Sequence, residues 1–328
     1  MSSDLSALRD QILKFKEEKR ALILSHNYQR DEVQEIADVV GDSLELSRIA
    51  ATRVCDMIVF CGVHFMAESA SILSPEKTVL LPEQEAGCPM ADMIKADAPR
   101  QVRNKFPGFE DPPAYVYPPE FTLRDIKKQY PGVPVVAYVN TTAEVKAESD
   151  ICCTSANVVR VIESLPGDTV ICVPDKNLSM WAAKNTKKKV IAWDGYCNVH
   201  ERVTVKDVER ARREHPDAVL MAHPECRIEV LERVDHVTST SGMLRFATAS
   251  PATEFVVGTE IGLMHRLRKE NPHKLFYPLR NDMVCPNMKK TTLQSILRAF
   301  RENITVVKVP EHIRIPAKRA LDRMLDVV

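Results

Sequence analysis

The chain repeats itself three times, and the repeat leaves few folds open. Short apolar runs ending in polar residues occur as ALILSHNY (21–28), VPVVAYVN (133–140) and AVLMAHPE (218–225). Each follows a charged stretch of helical character: LRDQILKFKEEKR, TLRDIKKQY and TVKDVERARREH. In the first of these, Leu5, Leu8, Ile12 and Phe15 fall on one helical face. In the other two, Thr122…Asp125 and Thr204…Asp207 fit the capping box that opens a helix. Seventeen residues beyond His26, Tyr138 and His223 stand Ser43, Ser155 and Thr240, each opening an apolar helical pattern. A second strand pattern follows (DMIVFCG, DTVICVP, TEFVVGT), then a third (KTVLLPE, KKVIAWD, KLFYPLR). Cys88 and Cys285 lie eleven residues beyond Lys77 and Lys274, and Cys197 eight beyond Lys189. One cysteine therefore closes each copy.

Strands alternating with helices give a parallel sheet covered on both faces. The expected fold class is α/β: three similar three-layer αβα domains with parallel sheets, related by pseudo-threefold symmetry around a central active site. The units are read as 1–96, 122–202 and 203–289, with a helix–strand–helix tail over 290–328. His223 lies 85 residues after Tyr138, but Tyr138 lies 112 after His26. The excess falls in 97–121, a stretch with six prolines, which reads as an irregular surface insertion.

The 328 residues carry 45 basic and 45 acidic side chains, a balance that selects against nucleic acid or an anionic membrane as the main partner. The first apolar run, ALIL, is too short for a signal peptide or a membrane span, which places the protein in the cytoplasm. Nine cysteines in such a chain do not form a disulfide framework. Cys61 and Cys172 sit within apolar strands and Cys55 leads into one, so they read as core residues. Cys152 and Cys153 are adjacent and read as free thiols. Cys226 neighbours Glu225 without a counterpart in the other units.

In open parallel sheets, ligands bind beyond the carboxyl ends of the strands. His26, Tyr138, Asn140, His223 and Glu225 lie there, and Ser43, Ser155 and Thr240 begin the next helices on the same edge. Helix starts favour anions, so three of them facing one cavity suit a substrate with several carboxylates or phosphates. Cys88, Cys197 and Cys285 lie on loops at that edge, without the close pairs of a structural zinc ribbon. An iron–sulfur cluster accepts widely separated ligands. Three cysteines on four irons leave one iron without a protein ligand, a Lewis acid able to assist loss of a substrate hydroxyl as water. A three-thiolate zinc hydrolase, another iron–sulfur hydro-lyase and a non-catalytic iron–sulfur sensor are the alternatives. The sensor requires an output surface such as a basic helix, which this neutral chain does not offer.

These residues resemble the quinolinate synthase family. The resemblance runs from about Ala21 to about Lys290, through LSHNYQRDEVQEIAD, GDSLELS, VHFMAESA, PEQEAGCPMADM, YVNTTAEVKAESDICCTSAN, WDGYCNVHE, AHPEC, TSTSGM and MVCPNMK. No motif residue falls in 97–121. The resemblance implies one 4Fe–4S cluster, with Cys88, Cys197 and Cys285 as its ligands. It also implies a condensation of iminoaspartate with dihydroxyacetone phosphate to quinolinate, releasing phosphate and water. Either L-aspartate oxidase or aspartate dehydrogenase would then supply the iminoaspartate. His26, Tyr28, Ser43, Tyr138, Asn140, Ser155, His200, His223, Glu225, Ser239 and Thr240 would line the pocket. Glu225, helped by Tyr28 and Tyr138, is the expected acid/base, and His26 and His223 the cationic partners of substrate carboxylates near neutral pH.

Overall fold

A computed structural model describes residues 3–97 and 122–327. Apart from Asp97, the stretch read as an insertion lies outside the described residues. The twelve strands are β1 (Ala21–His26), β2 (Val39–Gly41), β3 (Met57–Cys61), β4 (Thr78–Leu80), β5 (Val135–Tyr138), β6 (Ile151–Cys153), β7 (Thr169–Val173), β8 (Lys189–Ala192), β9 (Val219–Ala222), β10 (His236–Val237), β11 (Glu254–Gly258) and β12 (Leu275–Pro278). They form three four-stranded parallel sheets of identical order: β2-β1-β3-β4, β6-β5-β7-β8 and β10-β9-β11-β12. Helices flank each sheet, so the architecture is three αβα lobes.

The register explains the spacing of the repeat. Leu24 pairs with Val39, Val136 with Ile151 and Met221 with His236, a constant offset of fifteen residues. One aspartate per lobe helps hold that offset. Asp38, Asp150 and Asp235 each accept the backbone N–H of the residue fifteen positions earlier (Ile23, Val135, Leu220), all at 2.8 Å. Sequence patterns gave three strands per unit and the structure has four. The extra ones, β2, β6 and β10, are only two or three residues long and carry too little periodicity to register.

Both capping boxes form, at Thr122–Asp125 and Thr204–Asp207. Two of the three residues expected to begin helices beside the cavity do so. Ser43 and Thr240 are first helical residues, capped by Asp42 and Ser239. Ser155 lies in the turn before helix Val158–Ser164, whose N-cap is Asn157.

One apolar core runs without a break from the first sheet to the second and under the C-terminal helix Glu311–Asp326. The third lobe has its own two cores. Helices Ser3–Glu18 and Leu293–Glu302 cover the outer face of the first sheet, where Phe15 stacks on Phe300 with Ile12 beside them. The segment ITVVKV, expected as a strand, makes only an antiparallel bridge between Val306 and Leu80. Cys61, Cys152, Cys153 and Cys172 are buried, whereas Cys55, expected in the core, is partly exposed.

Candidate active site

The carboxyl edges of the three sheets meet around a cavity of about 90 Å³. The first lobe contributes His26, Tyr28, Ser43 and Cys88 to its wall. The second contributes Tyr138, Asn140, Ser155, Cys197 and His200, and the third His223, Glu225, Thr240 and Cys285. Ser239 is the exception among the expected residues. It is buried behind the wall, accepts the Gly242 N–H as a helix cap and lies 3.4 Å from Asp42 Oδ2.

Local chain geometry presents the three cysteines in one way. The carbonyl of each accepts a backbone N–H from four residues on: Asp92 to Cys88 at 3.3 Å, Glu201 to Cys197 at 2.9 Å, and Lys289 to Cys285 at 3.2 Å. Each thiol thus sits at the head of a single helical turn. Burial pushes the Cys285 thiol up to about 11 and those of Cys88 and Cys197 well above the usual thiol range; Cys285 adds to the rise at both, and Cys88 to that of Cys197. The three sulfurs are close enough to oppose one another's charge. They ionise together only with a cationic centre between them, which is how metal binding couples to thiol deprotonation. Three soft donors, one from each lobe and all lining one cavity, fit an iron–sulfur cluster.

Beside Cys197 lies a hydrogen-bonded network. His200 Nδ1 is 2.8 Å from Glu225 Oε2 and 3.2 Å from Cys197 Sγ, while its Nε2 is 2.9 Å from the Thr259 hydroxyl. The Tyr28 hydroxyl lies 2.6 Å from the same Thr259 oxygen, and the Tyr138 phenol is hydrogen-bonded to Glu225. His223 stacks on His200 at 4.8 Å and places Nε2 3.1 Å from Ser155 Oγ. Burial opposes the charge on Glu225. The imidazoles of His223 and His200 and the donors from His200 and Tyr138 outweigh it, bringing the carboxyl down to about 2.

His26 and His223 were expected as cations. Burial holds both imidazoles near 3, with His223 adding to the effect on His26, so they are neutral at pH 7. They therefore serve as neutral hydrogen-bonding groups. Burial, with Glu225 next, raises the phenols of Tyr28 and Tyr138 well above the usual range. Both stay protonated and act as donors. The helix starts also differ from open anion sites, because Asp42 already accepts the N–H groups of Leu44 and Glu45. Asn140 lines the cavity and keeps a buried Oδ1 that meets no donor among the described residues.

Sequence reasoning passed over four residues that support this wall. Thr259 joins Tyr28 to His200. Glu260 accepts the N–H groups of Cys285 (3.2 Å) and Gly262 (2.7 Å) and pairs with Lys289 at 3.0 Å. Lys289 also donates to the Tyr28 carbonyl at 2.6 Å. Asn177 gives one amide to two acceptors, the Glu225 carbonyl and the Glu201 carboxylate. Three of the four lie at or just past the end of the second strand pattern of their unit, where the copies share no common residue type. Among the described residues no helix is long and apolar enough to cross a membrane.

The profile of the family described as Quinolinate synthetase A protein matches residues 10–326. The chain is 53% identical over 320 residues to the quinolinate synthase of Thermodesulfovibrio yellowstonii, covering 97% of this chain and 98% of that one. It is 52% identical over 322 residues to that of Methanoregula boonei (98% and 99% covered) and 51% over 320 residues to that of Geobacter metallireducens (98% and 97%). On that evidence the chain is an enzyme that belongs to the quinolinate synthetase A family.

Proposed function

We propose that the chain is a quinolinate synthase of NAD biosynthesis, condensing iminoaspartate with dihydroxyacetone phosphate and releasing phosphate and water. Cys88, Cys197 and Cys285 would hold one 4Fe–4S cluster. The observation that carries the reading is the convergence of one thiol from each lobe on the cavity that also holds the Glu225–His200 pair. A four-iron cluster with one iron free of protein ligands supplies a Lewis-acid position for a substrate hydroxyl or carboxylate.

The chain's own groups divide the remaining work. Glu225, ionised at neutral pH, accepts a proton from substrate and is oriented by His200 and Tyr138. Tyr28, a protonated phenol tied to the same network through Thr259, donates one. Neutral His26 and His223, with Ser43, Ser155 and Thr240, hydrogen-bond substrate carboxylates and phosphate. Asn140, also on the cavity lining, hydrogen-bonds substrate through its side-chain amide. The lobes are assigned to 1–96, 122–202 and 203–289, and 290–328 is a covering tail. An L-aspartate oxidase or an aspartate dehydrogenase would supply iminoaspartate.

A second reading has one observation in its favour. Cys197, His200 and Glu225 offer ligand atoms within 4.8 Å of one another, enough for a single metal ion. The 2.8 Å separation of Nδ1 and Oε2 is a hydrogen bond, whereas ligands at about 2.0–2.2 Å from a tetrahedral zinc stand more than about 3 Å apart. That reading also leaves Cys88 and Cys285 without a task.

Anaerobic purification followed by iron and acid-labile sulfide analysis separates the two: about four of each per chain for the cluster, a single metal without sulfide for the alternative. Assay with both substrates then tests the reaction. Cys285→Ala is expected to abolish the brown chromophore and turnover together; retained activity would remove Cys285 from the ligand set.

A further inference from the structure

We infer that Asn27 is a positioning residue that keeps the Thr240 hydroxyl turned as a donor toward an anionic group of the substrate; the inference rests on the reading above, in which Thr240 binds substrate. Asn27 follows β1 in the first lobe and is fully buried. Its Nδ2 lies 3.0 Å from Oγ1 of Thr240, which begins helix Thr240–Ala249 in the third lobe. Its Oδ1 lies 2.9 Å from Nη1 of Arg266, on helix Leu263–Glu270 of the same lobe. One amide is thus held between two side chains of a neighbouring lobe.

The direction of both bonds follows from what each group can do. A guanidinium only donates, so the Asn27 atom facing Arg266 is the carbonyl oxygen and the atom facing Thr240 is the amide nitrogen. That nitrogen also only donates, so the Thr240 oxygen accepts from it and the hydroxyl hydrogen is left for another partner. Among the described residues no acceptor takes that hydrogen, and Thr240 lines the cavity. Arg266 is itself fixed: its Nε and Nη2 lie 2.8 and 2.7 Å from Glu270 Oε1, and Nη1 also donates to the Val40 carbonyl at 2.5 Å. The Asn27 backbone is held as well. Its N–H donates to the Gly41 carbonyl at 3.0 Å, and its own carbonyl accepts from the Gln34 amide at 3.3 Å. Flipping the side chain would set its N–H groups against the guanidinium, so the amide has one orientation.

The threefold repeat marks the amide as a departure and not a scaffold requirement. The bonds from Asp38, Asp150 and Asp235 make Ile23, Val135 and Leu220 equivalent. Four residues on, Asn27, Val139 and Pro224 are therefore equivalent, and only the first carries a hydrogen-bonding side chain. Ser155, the counterpart of Thr240 in the second lobe, meets Nε2 of His223, a ring nitrogen that donates or accepts according to tautomer. The partner of Thr240 cannot accept. In Asn27→Asp the shape and the Arg266 contact remain, but the donor becomes an acceptor. The Thr240 hydroxyl then gives its hydrogen to the new carboxylate and turns lone pairs to the cavity. An anion held there loses one charge-assisted hydrogen bond, while Glu225 and Tyr28 are untouched.

The test measures binding of quinolinate and of inorganic phosphate by equilibrium dialysis in anaerobically purified cluster-loaded protein, with kcat alongside. Asn27→Asp is expected to weaken at least one of the two anions about tenfold, with kcat at saturating substrate within about threefold of wild type. The anion that weakens tells whether Thr240 holds a carboxylate or a phosphate. Thr240→Val should weaken the same anion about as much. Asn27→Asp added to it should cost less than about twofold more, because the amide acts through that hydroxyl. Protein labelled with nitrogen-15 at asparagine side chains gives a readout without ligand. The Asn27 resonances, identified by their loss in Asn27→Asp and their shift in Arg266→Lys, should move in Thr240→Val and return in Thr240→Ser. Unchanged affinity for both anions in Asn27→Asp, a kcat that falls more than affinity does, a full tenfold loss on the valine background, or unmoved resonances would each overturn the inference. If wild type binds neither anion, the functional reading fails while the resonances still decide the bond. Should Asn27→Asp not fold, Arg266→Lys identifies the resonances and the valine and serine variants at Thr240 decide.

Discussion

Replacing Glu225 by glutamine removes a charge and keeps the shape, so its cost can be worked out from the pocket. The carboxyl is 3% exposed and sits at about 2 against 4.5 for the unperturbed group. That difference corresponds to roughly 3 kcal/mol favouring the ionised form in the folded protein. A depressed carboxyl contributes stability that is fully present above 4.5 and lost as pH falls through about 2. The amide of the Glu225→Gln variant has no such contribution at any pH. The stability gap between wild type and Glu225→Gln should therefore narrow by about 1 kcal/mol between about pH 7 and about pH 3.5. Urea unfolding of the cluster-free proteins at those two pH values measures it. The same variant, loaded anaerobically, should keep the cluster's absorbance and lose turnover by at least about 100-fold, the lower end of what a general base contributes. A gap that stays constant with pH would show that the pocket does not stabilise the charge. A fully active variant would end the assignment of Glu225 as the base.

Acid should weaken the fold through the histidines with the opposite chemistry. His26 is held neutral near 3 against 6.5, so the unfolded chain binds more protons throughout that window. Stability should fall by about 1.4 kcal/mol per pH unit from this one ring on acidification between those values. His26→Gln should flatten the slope of unfolding free energy against pH, and an unchanged slope would count against burial of the neutral ring. Gly195 tests the Cys197 loop. A Cβ there would lie 2.4 Å from the Pro174 carbonyl oxygen, a fixed backbone atom, so the loop must move. Gly195→Ala should cost about 1–3 kcal/mol in unfolding and lower the iron bound per chain; full iron content at wild-type stability would show that the loop has room.

Much of the fold was legible because each copy repeats the same physical signals at the same distances. Apolar strands ending in His26, Tyr138 and His223 mark the sheet edge, and the offset of seventeen to Ser43, Ser155 and Thr240 is the parallel register plus two residues. What escaped was set by contacts no local pattern encodes. Asp42 caps the helix that Ser43 begins, its carboxylate reaching two N–H groups at once. The expected charge of His26 and His223 followed from their free pKa, and only burial, which is tertiary, reverses it. Thr259 meets Tyr28 across 231 residues, and Lys289 reaches the Tyr28 carbonyl across 261.

A threefold scaffold on its own would build a threefold site, and a substrate without that symmetry could not be oriented in it. The lobes break the symmetry at chosen levels. The cysteines are kept in all three copies, at Cys88, Cys197 and Cys285, each at the head of one helical turn. The strand ends are varied to His26, Tyr138 and His223. The level beyond β3, β7 and β11 is varied most, with Val63, Asp175 and Glu260 at equivalent places. There the first lobe offers an apolar wall, while the second and third offer buried carboxylates that take the N–H groups of Leu178 and of Gly262 and Cys285. Equivalence fixes where a side chain can reach and divergence fixes what it does on arrival. The repeated level holds what all three lobes share, and the varied levels make the cavity unsymmetrical, so that a substrate without threefold symmetry can be oriented in it.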